Sequence, residues 1–107
     1  MMAIRSLGGP GEADVFAEVA GLFLEDVPVH LSALSAAIAA GNVASVADIA
    51  HSLRGNALEI GAARMAPMCA AIEHAARAGS LEGAAMRAEV LGREFAVARD
   101  TLEQVLR

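Results

Sequence analysis

The chain of 107 residues has no Trp, no Tyr and no Lys, and only three Phe, three Pro and one Cys. Scarce aromatics beside 26 alanines argue against a β-sandwich, which packs on β-branched and aromatic side chains, and favour close-packed helices. The single cysteine, Cys69, excludes an internal disulfide framework and suits a reducing compartment. The 8 basic residues, all Arg, are outnumbered by 13 acidic ones, for a net charge of −5. The basic footprint that nucleic acid requires is therefore missing. No stretch reaches the roughly 18 uninterrupted apolar residues of a membrane span, because charged residues and His break every candidate. The opening MMAIRSLGGPGEAD lacks the apolar run of a signal peptide. The expectation is a cytoplasmic, acidic, all-helical domain with no nucleic-acid or membrane partner.

What is present is helical periodicity. Residues 1–12, rich in Gly with Pro10, read as a flexible lead-in, and residues 13–107 as one bundle. Asp14 is placed to cap a first apolar series of Val15, Val19, Leu22, Phe23, Val27, Leu31, Leu34 and Ile38. Pro28 interrupts that series and predicts a kink or a short extra helix. Gly41 reads as a stop and Asn42 as the next N-cap. Val46, Ile49, Leu53, Ala57 and Ile60 mark the second helix, which Gly61 ends. The third starts at about Ala63 to Ala66, because Pro67 suits only a first turn, and continues through Met68 and Ile72. The fourth reads from an N-cap at Ser80 through Leu91, Phe95, Leu102 and Val105. Such short connections force antiparallel neighbours, and an up-down-up-down four-helix bundle follows.

His51 stands two residues before the core residue Leu53, about 200° around the helix, so it faces outward. Asp48, Arg54, Gly55 and Leu58 share its face. Glycine within a helix costs about 1 kcal/mol against alanine, so something requires Gly55 to lack a side chain. Either another helix of the bundle crowds it, or an incoming partner must reach His51. A hairpin of the second and third helices turning near Ala62 brings Glu73 level with His51, with Arg77 one turn on. A carboxylate beside an imidazole accepts the Nδ1 hydrogen, fixes the tautomer and leaves Nε2 outward as a nucleophile. A neighbouring Arg suits a group about to acquire a doubly charged phosphoryl.

The string Ala50-His51-Ser52-Leu53-Arg54-Gly55-Asn56-Ala57, followed by Ile60-Gly61-Ala62, resembles the signature of histidine-containing phosphotransfer (HPt) domains, A-H-x-L-K-G-[SN]-A with a later L-G-A. Phe23 to Pro28 resembles that family's first bundle helix, Ala40-Gly41-Asn42 its turn, and Cys69 to Glu73 its third helix. The resemblance implies that His51 is the phosphoacceptor, Arg54 steadies phosphoryl charge, Gly55 gives steric access and Glu73 orients the imidazole. Arg54 departs from the family's usual Lys, keeping the charge and adding a planar donor fork. Pro67 is a second departure.

The implied function is a relay. A receiver-domain aspartate passes its phosphoryl group to His51, and a second receiver aspartate takes it on. Response-regulator receiver domains are the implied partners, with a hybrid sensor histidine kinase as a further one. Mg²⁺ is expected in the receiver, and no cofactor on this chain. There is no G-x-x-x-x-G-K-[ST] motif, so the chain reads as a phosphohistidine carrier and not an enzyme. Ala47, Ser52, Asn56, Leu58 and Arg77, with the first helix near Leu24 to Val27, are the candidate docking residues. Leu58 has packing against the N-terminal segment as its other reading. The alternative function is a docking or inhibitory module of the same fold without transfer; an intact His, cation and small neighbour argue for the relay. Asp26 and His30 are spaced as a surface pair, His74 reads as solvated, and Cys69 as core. A metal site from Cys69, Glu73 and His51 is not expected, because no recognised ligand-pair spacing joins them and no E-x-x-H pair is present. No continuous apolar stripe is read on the outer faces, so a monomer is expected.

Overall fold

Alanine-rich segments with apolar residues three and four apart give four helices: α1 (Gly9–Ala39), α2 (Val43–Ile60), α3 (Met65–Arg77) and α4 (Ala84–Leu106). The computed structural model describes the backbone of residues 9–106 and side chains from residue 15 to residue 106. No strand occurs among the described residues. Three helix ends close in the same way. Asn42 N–H donates to the Ala37 carbonyl (3.0 Å), Ala62 to Ala57 (2.8 Å) and Ser80 to Ala75 (2.9 Å). This is the six-to-one bond of a Schellman stop. At Gly61 the bond needs a left-handed φ of +79°, which a side chain would oppose. Asn42 then caps α2, its side chain accepting from Ser45 N–H at 3.1 Å.

The structure departs from four sequence expectations. Of the lead-in over residues 1–12, residues 1–8 lie outside the described residues, and residues 9–12 are the first turn of α1. Pro10 suits that position, where its missing N–H costs nothing, and Asp14 falls inside the helix and not at its cap. No extra helix separates at Pro28, because α1 continues through it; the loss is one backbone bond to the carbonyl a turn earlier. Helix α4 begins at Ala84 and not at Ser80. The Ser80 hydroxyl accepts from Glu82 N–H at 3.2 Å, and Gly83 holds a φ of +74° that no helix can contain, so the chain turns once more before α4 starts.

Each helix packs on its sequential neighbours and α4 closes on α1, the ring expected of an antiparallel four-helix bundle. Val27, Leu34, Val46, Leu53, Met65, Ile72 and Leu91 fill the core with Cys69. The rings of Phe23 and Phe95 meet at 5.5 Å. The stretch Val15–Ala39 is long and apolar enough to cross a membrane by length and composition. In the bundle it supplies one wall of the core through Ala20, Phe23, Val27, Leu34 and Ala37.

The helices differ in length, and cross-helix contacts fix their levels. The His30 to Asn56 contact (3.2 Å) registers α1 against α2, Phe23 to Phe95 registers α1 against α4, and Arg64 to Glu94 (3.4 Å) registers the start of α3 against α4. All three put the α2–α3 turn level with residues 24–26 of α1. Beyond that level α1 and α4 have, among the described residues, only each other for about 20 Å. Val15, Leu22 and Val105, expected in the core, are exposed. Leu22 adjoins the buried Phe23 and Ala20, so it is the outward face of α1, and not the level alone, that leaves Leu22 uncovered.

Candidate functional site

Helix α2 turns Val46, Ala47, Ala50, Leu53 and Ala57 into the core. That phasing leaves His51 on the outside, its side chain 58% exposed. Behind it, α3 presents Glu73, the only charged residue buried among the described residues, at 9% exposure. His51 Nδ1 lies 3.1 Å from Glu73 Oε2. The same oxygen accepts from Arg77 Nε at 3.1 Å and faces Arg77 Nη2 at 3.0 Å. Glu73 Oε1 is buried without a hydrogen bond; Arg54 Nη1 stands 3.6 Å from it.

Arg54 Nη2 also lies 3.4 Å from His51 Nδ1. One nitrogen cannot donate to Glu73 and accept from Arg54 at once. The carboxylate is nearer, is charged and can only accept, so Nδ1–H donates to Glu73 and the Arg54 approach is a charge contact. In the neutral ring the lone pair then resides on Nε2, which has no hydrogen-bond partner among the described residues. Desolvation pushes the Glu73 carboxyl upward, but the Arg77 hydrogen bond, the Arg54 charge and the hydrogen bond from His51 outweigh it and hold the group below its ordinary range. The anion behind His51 is thus kept ionised by two guanidinium groups.

A Cβ built on Gly55 meets nothing within 4 Å. Crowding by another helix is therefore excluded as the reason for that glycine, and the open space lies on the His51 face. Ser52 is exposed. Leu58 is 65% exposed, so it is not packed into the bundle. Ala47 is 2% exposed and belongs to the core; the i, i+3 spacing that puts it with Ala50 removes it from the docking residues. Asn56 is half-buried, and its Oδ1 accepts from His30 Nδ1–H at 3.2 Å. His30 therefore pairs across to α2 and not with Asp26 on its own helix. Arg77 is turned toward Glu73, and its Nη2 is 3.9 Å from Asp48. The sequence carries no signal for the His30–Asn56 tie, because it depends on how α1 and α2 register. His74 is exposed. Cys69 is fully buried, and desolvation pushes its thiol up to about 11, which makes it unreactive core. Among the described residues no three His, Cys, Asp or Glu side chains converge as a metal group.

The arrangement offers one nucleophilic nitrogen to solvent, an ionised carboxylate behind it, a guanidinium beside it and an open approach over Gly55. A family model described as Hpt domain matches residues 18–107. The crystal structure of histidine-containing phosphotransfer protein B (HptB) from Pseudomonas aeruginosa PAO1 is similar, with a TM-score of 0.83 and 32% sequence identity. The match covers 92% of this chain and 85% of that one. No curated protein matches the chain.

Proposed function

The chain belongs to the Hpt domain family, a family of phosphotransfer modules in two-component signalling, and from that premise we propose that His51 is its phosphoacceptor. Neutral His51 attacks the phosphorus of a receiver's aspartyl phosphate through Nε2. The Nε2–P bond forms as the P–O bond to the aspartate breaks, and the carboxylate leaves with the bonding pair. No proton has to move. The ring, now substituted at Nε2 and protonated at Nδ1, gains positive charge, and Glu73 at 3.1 Å stabilises that charge as it develops. Arg54 turns from its loose 3.6 Å contact with Glu73 toward the phosphoryl oxygens, while Arg77 stays with the carboxylate. Reversal onto a second receiver's aspartate completes the relay.

The observation that carries this reading is the His51–Glu73 pair with Nε2 left open to solvent. Mg²⁺ and most of the charge stabilisation belong to the receiver's acidic pocket, so in this reading the chain is a carrier, proposed to act as a monomer in the cytoplasm. Ser52 and Leu58 are the docking residues beside His51, and a hybrid sensor kinase is a further partner. The test is to mix the chain with a phosphorylated receiver domain and Mg²⁺ and read intact mass. Gain of one acid-labile phosphoryl group, absent in His51→Gln, supports the relay; no gain from a panel of receivers favours a docking module without transfer.

A further inference from the structure

Contrary to the sequence reading, which took Val15 and Leu22 as core and found no outer apolar stripe, the exposed apolar residues of α1 fall into a pattern. Val15, Leu22 and Val29 recur every seven residues and are 58%, 54% and 66% exposed. A seven-residue repeat keeps to one side of a helix that winds around a partner helix. This seam is turned about 100° or more from the core residues Phe23, Val27 and Leu34. Glu18 and Glu25 flank it on one side and Asp26 on the other, all three exposed. None of them forms an ion pair among the described residues. Helix α1 contains five acidic residues and no Lys or Arg. The half of the seam around Val15 and Leu22 also lies beyond the α2–α3 turn, where no third helix reaches among the described residues.

Position along the bundle separates the seam from the phosphotransfer site. The His30–Asn56 contact puts His51 level with Ser35, so the seam begins about 9 Å from His51 along the axis and runs to about 30 Å. We propose that it is a docking surface for an amphipathic helix of another protein whose apolar stripe is flanked by Arg or Lys. Such a helix matches both the spacing and the sign of the flanking charges, which in paired helices set the choice of partner. The same charges count against a second copy, where carboxylates meet carboxylates, and against an anionic bilayer. The stretch Leu24 to Val27, read from sequence as receiver docking, lies about 12–16 Å from His51 along the axis, and Val27 is buried. That stretch belongs to this surface, and a helix held here leaves His51 free for a receiver.

The test uses the full chain and two synthetic three-heptad helices with the same Leu seam, one flanked by Lys and one by Glu, followed by fluorescence anisotropy. The expected result is binding of the Lys-flanked helix about tenfold tighter than its twin at low salt, with the gap shrinking as salt is added. Leu22→Asp, which leaves the core untouched, abolishes binding. The E18K/E25K/D26K variant reverses the preference. Val29→Asp is the second seam variant, and circular dichroism checks the fold of each. Equal binding of the twins, binding that survives both seam variants, or no binding of either helix overturns the proposal. Self-association in sedimentation that Leu22→Asp removes also overturns it, by showing that a second copy covers the seam.

Discussion

His51 Nδ1 and Glu73 Oε2 lie 3.1 Å apart across the α2–α3 hairpin, one side chain mostly in solvent and the other buried. The contact makes the imidazole's two nitrogens unequal, and it depends on Glu73 being ionised. Glu73→Gln keeps an acceptor but removes the charge, so transfer to the chain should slow by about 10-fold to 100-fold. Glu73→Ala should slow it further. Rapid-quench measurement of phosphorylation from a charged receiver checks both, and unchanged rates contradict the orienting role.

Acid titration reports the same group from the stability side. Glu73 is held below its ordinary range in the folded chain, so between the two values the unfolded state binds the extra proton. The stabilisation is complete above the unfolded carboxylate value of about 4.3 and is lost as pH falls through the lower folded value. Urea melts over this acid range should show a steeper stability loss in the wild type than in Glu73→Gln. Parallel curves would contradict the sign.

Gly55 separates folding from function. With nothing within 4 Å of an added Cβ, Gly55→Ala should raise stability by up to about 1 kcal/mol through helix propensity. Larger side chains such as Gly55→Gln should block the approach to His51 while the fold persists. Thermal melts and transfer rates on the two variants check this; a lower Tm for Gly55→Ala would show a crowded site.

Leu58 and Leu53 should behave oppositely. Leu53 is fully buried and Leu58 is 65% exposed. Leu53→Ala should cost about 2–5 kcal/mol, whereas Leu58→Asp should leave the melt unchanged and weaken transfer at low receiver concentration. Denaturation curves beside a receiver titration distinguish the two.

Asn56 is a tie between helices before it is a contact for a partner. Removing its carbonyl strands His30 Nδ1, now 3.2 Å away, and Asn56→Ala should cost about 0.5–1.5 kcal/mol. Transfer at saturating receiver should stay near wild type.

Much of this site can be read without coordinates because α2 and α3 are joined by a tight turn. Gly61 forces the stop, the hairpin fixes the level, and Glu73 then has to face His51. Local patterns fail where the outcome depends on a distant element. Periodicity marks Val15, Leu22 and Val105 as apolar positions, yet which side of each helix is covered depends on where the other helices pack. Ser80 resembles an N-cap as much as it resembles a turn residue, and the positive φ of Gly83 decides between the two. Ala47 and Leu58 are both apolar and near His51, and only the phase of α2 separates the buried one from the exposed one. For the same reason the sequence pairs His30 with Asp26 one turn away, whereas the fold pairs it with Asn56.

The most direct measurement is a long-range ¹H–¹⁵N spectrum of the labelled chain before and after phosphorylation by a charged receiver. His51 should start with its hydrogen on Nδ1 and end with one phosphoryl group on Nε2, while His30 and His74 are unchanged. A phosphoryl group on Nδ1, on either other histidine, or on none of them would contradict the role given to His51.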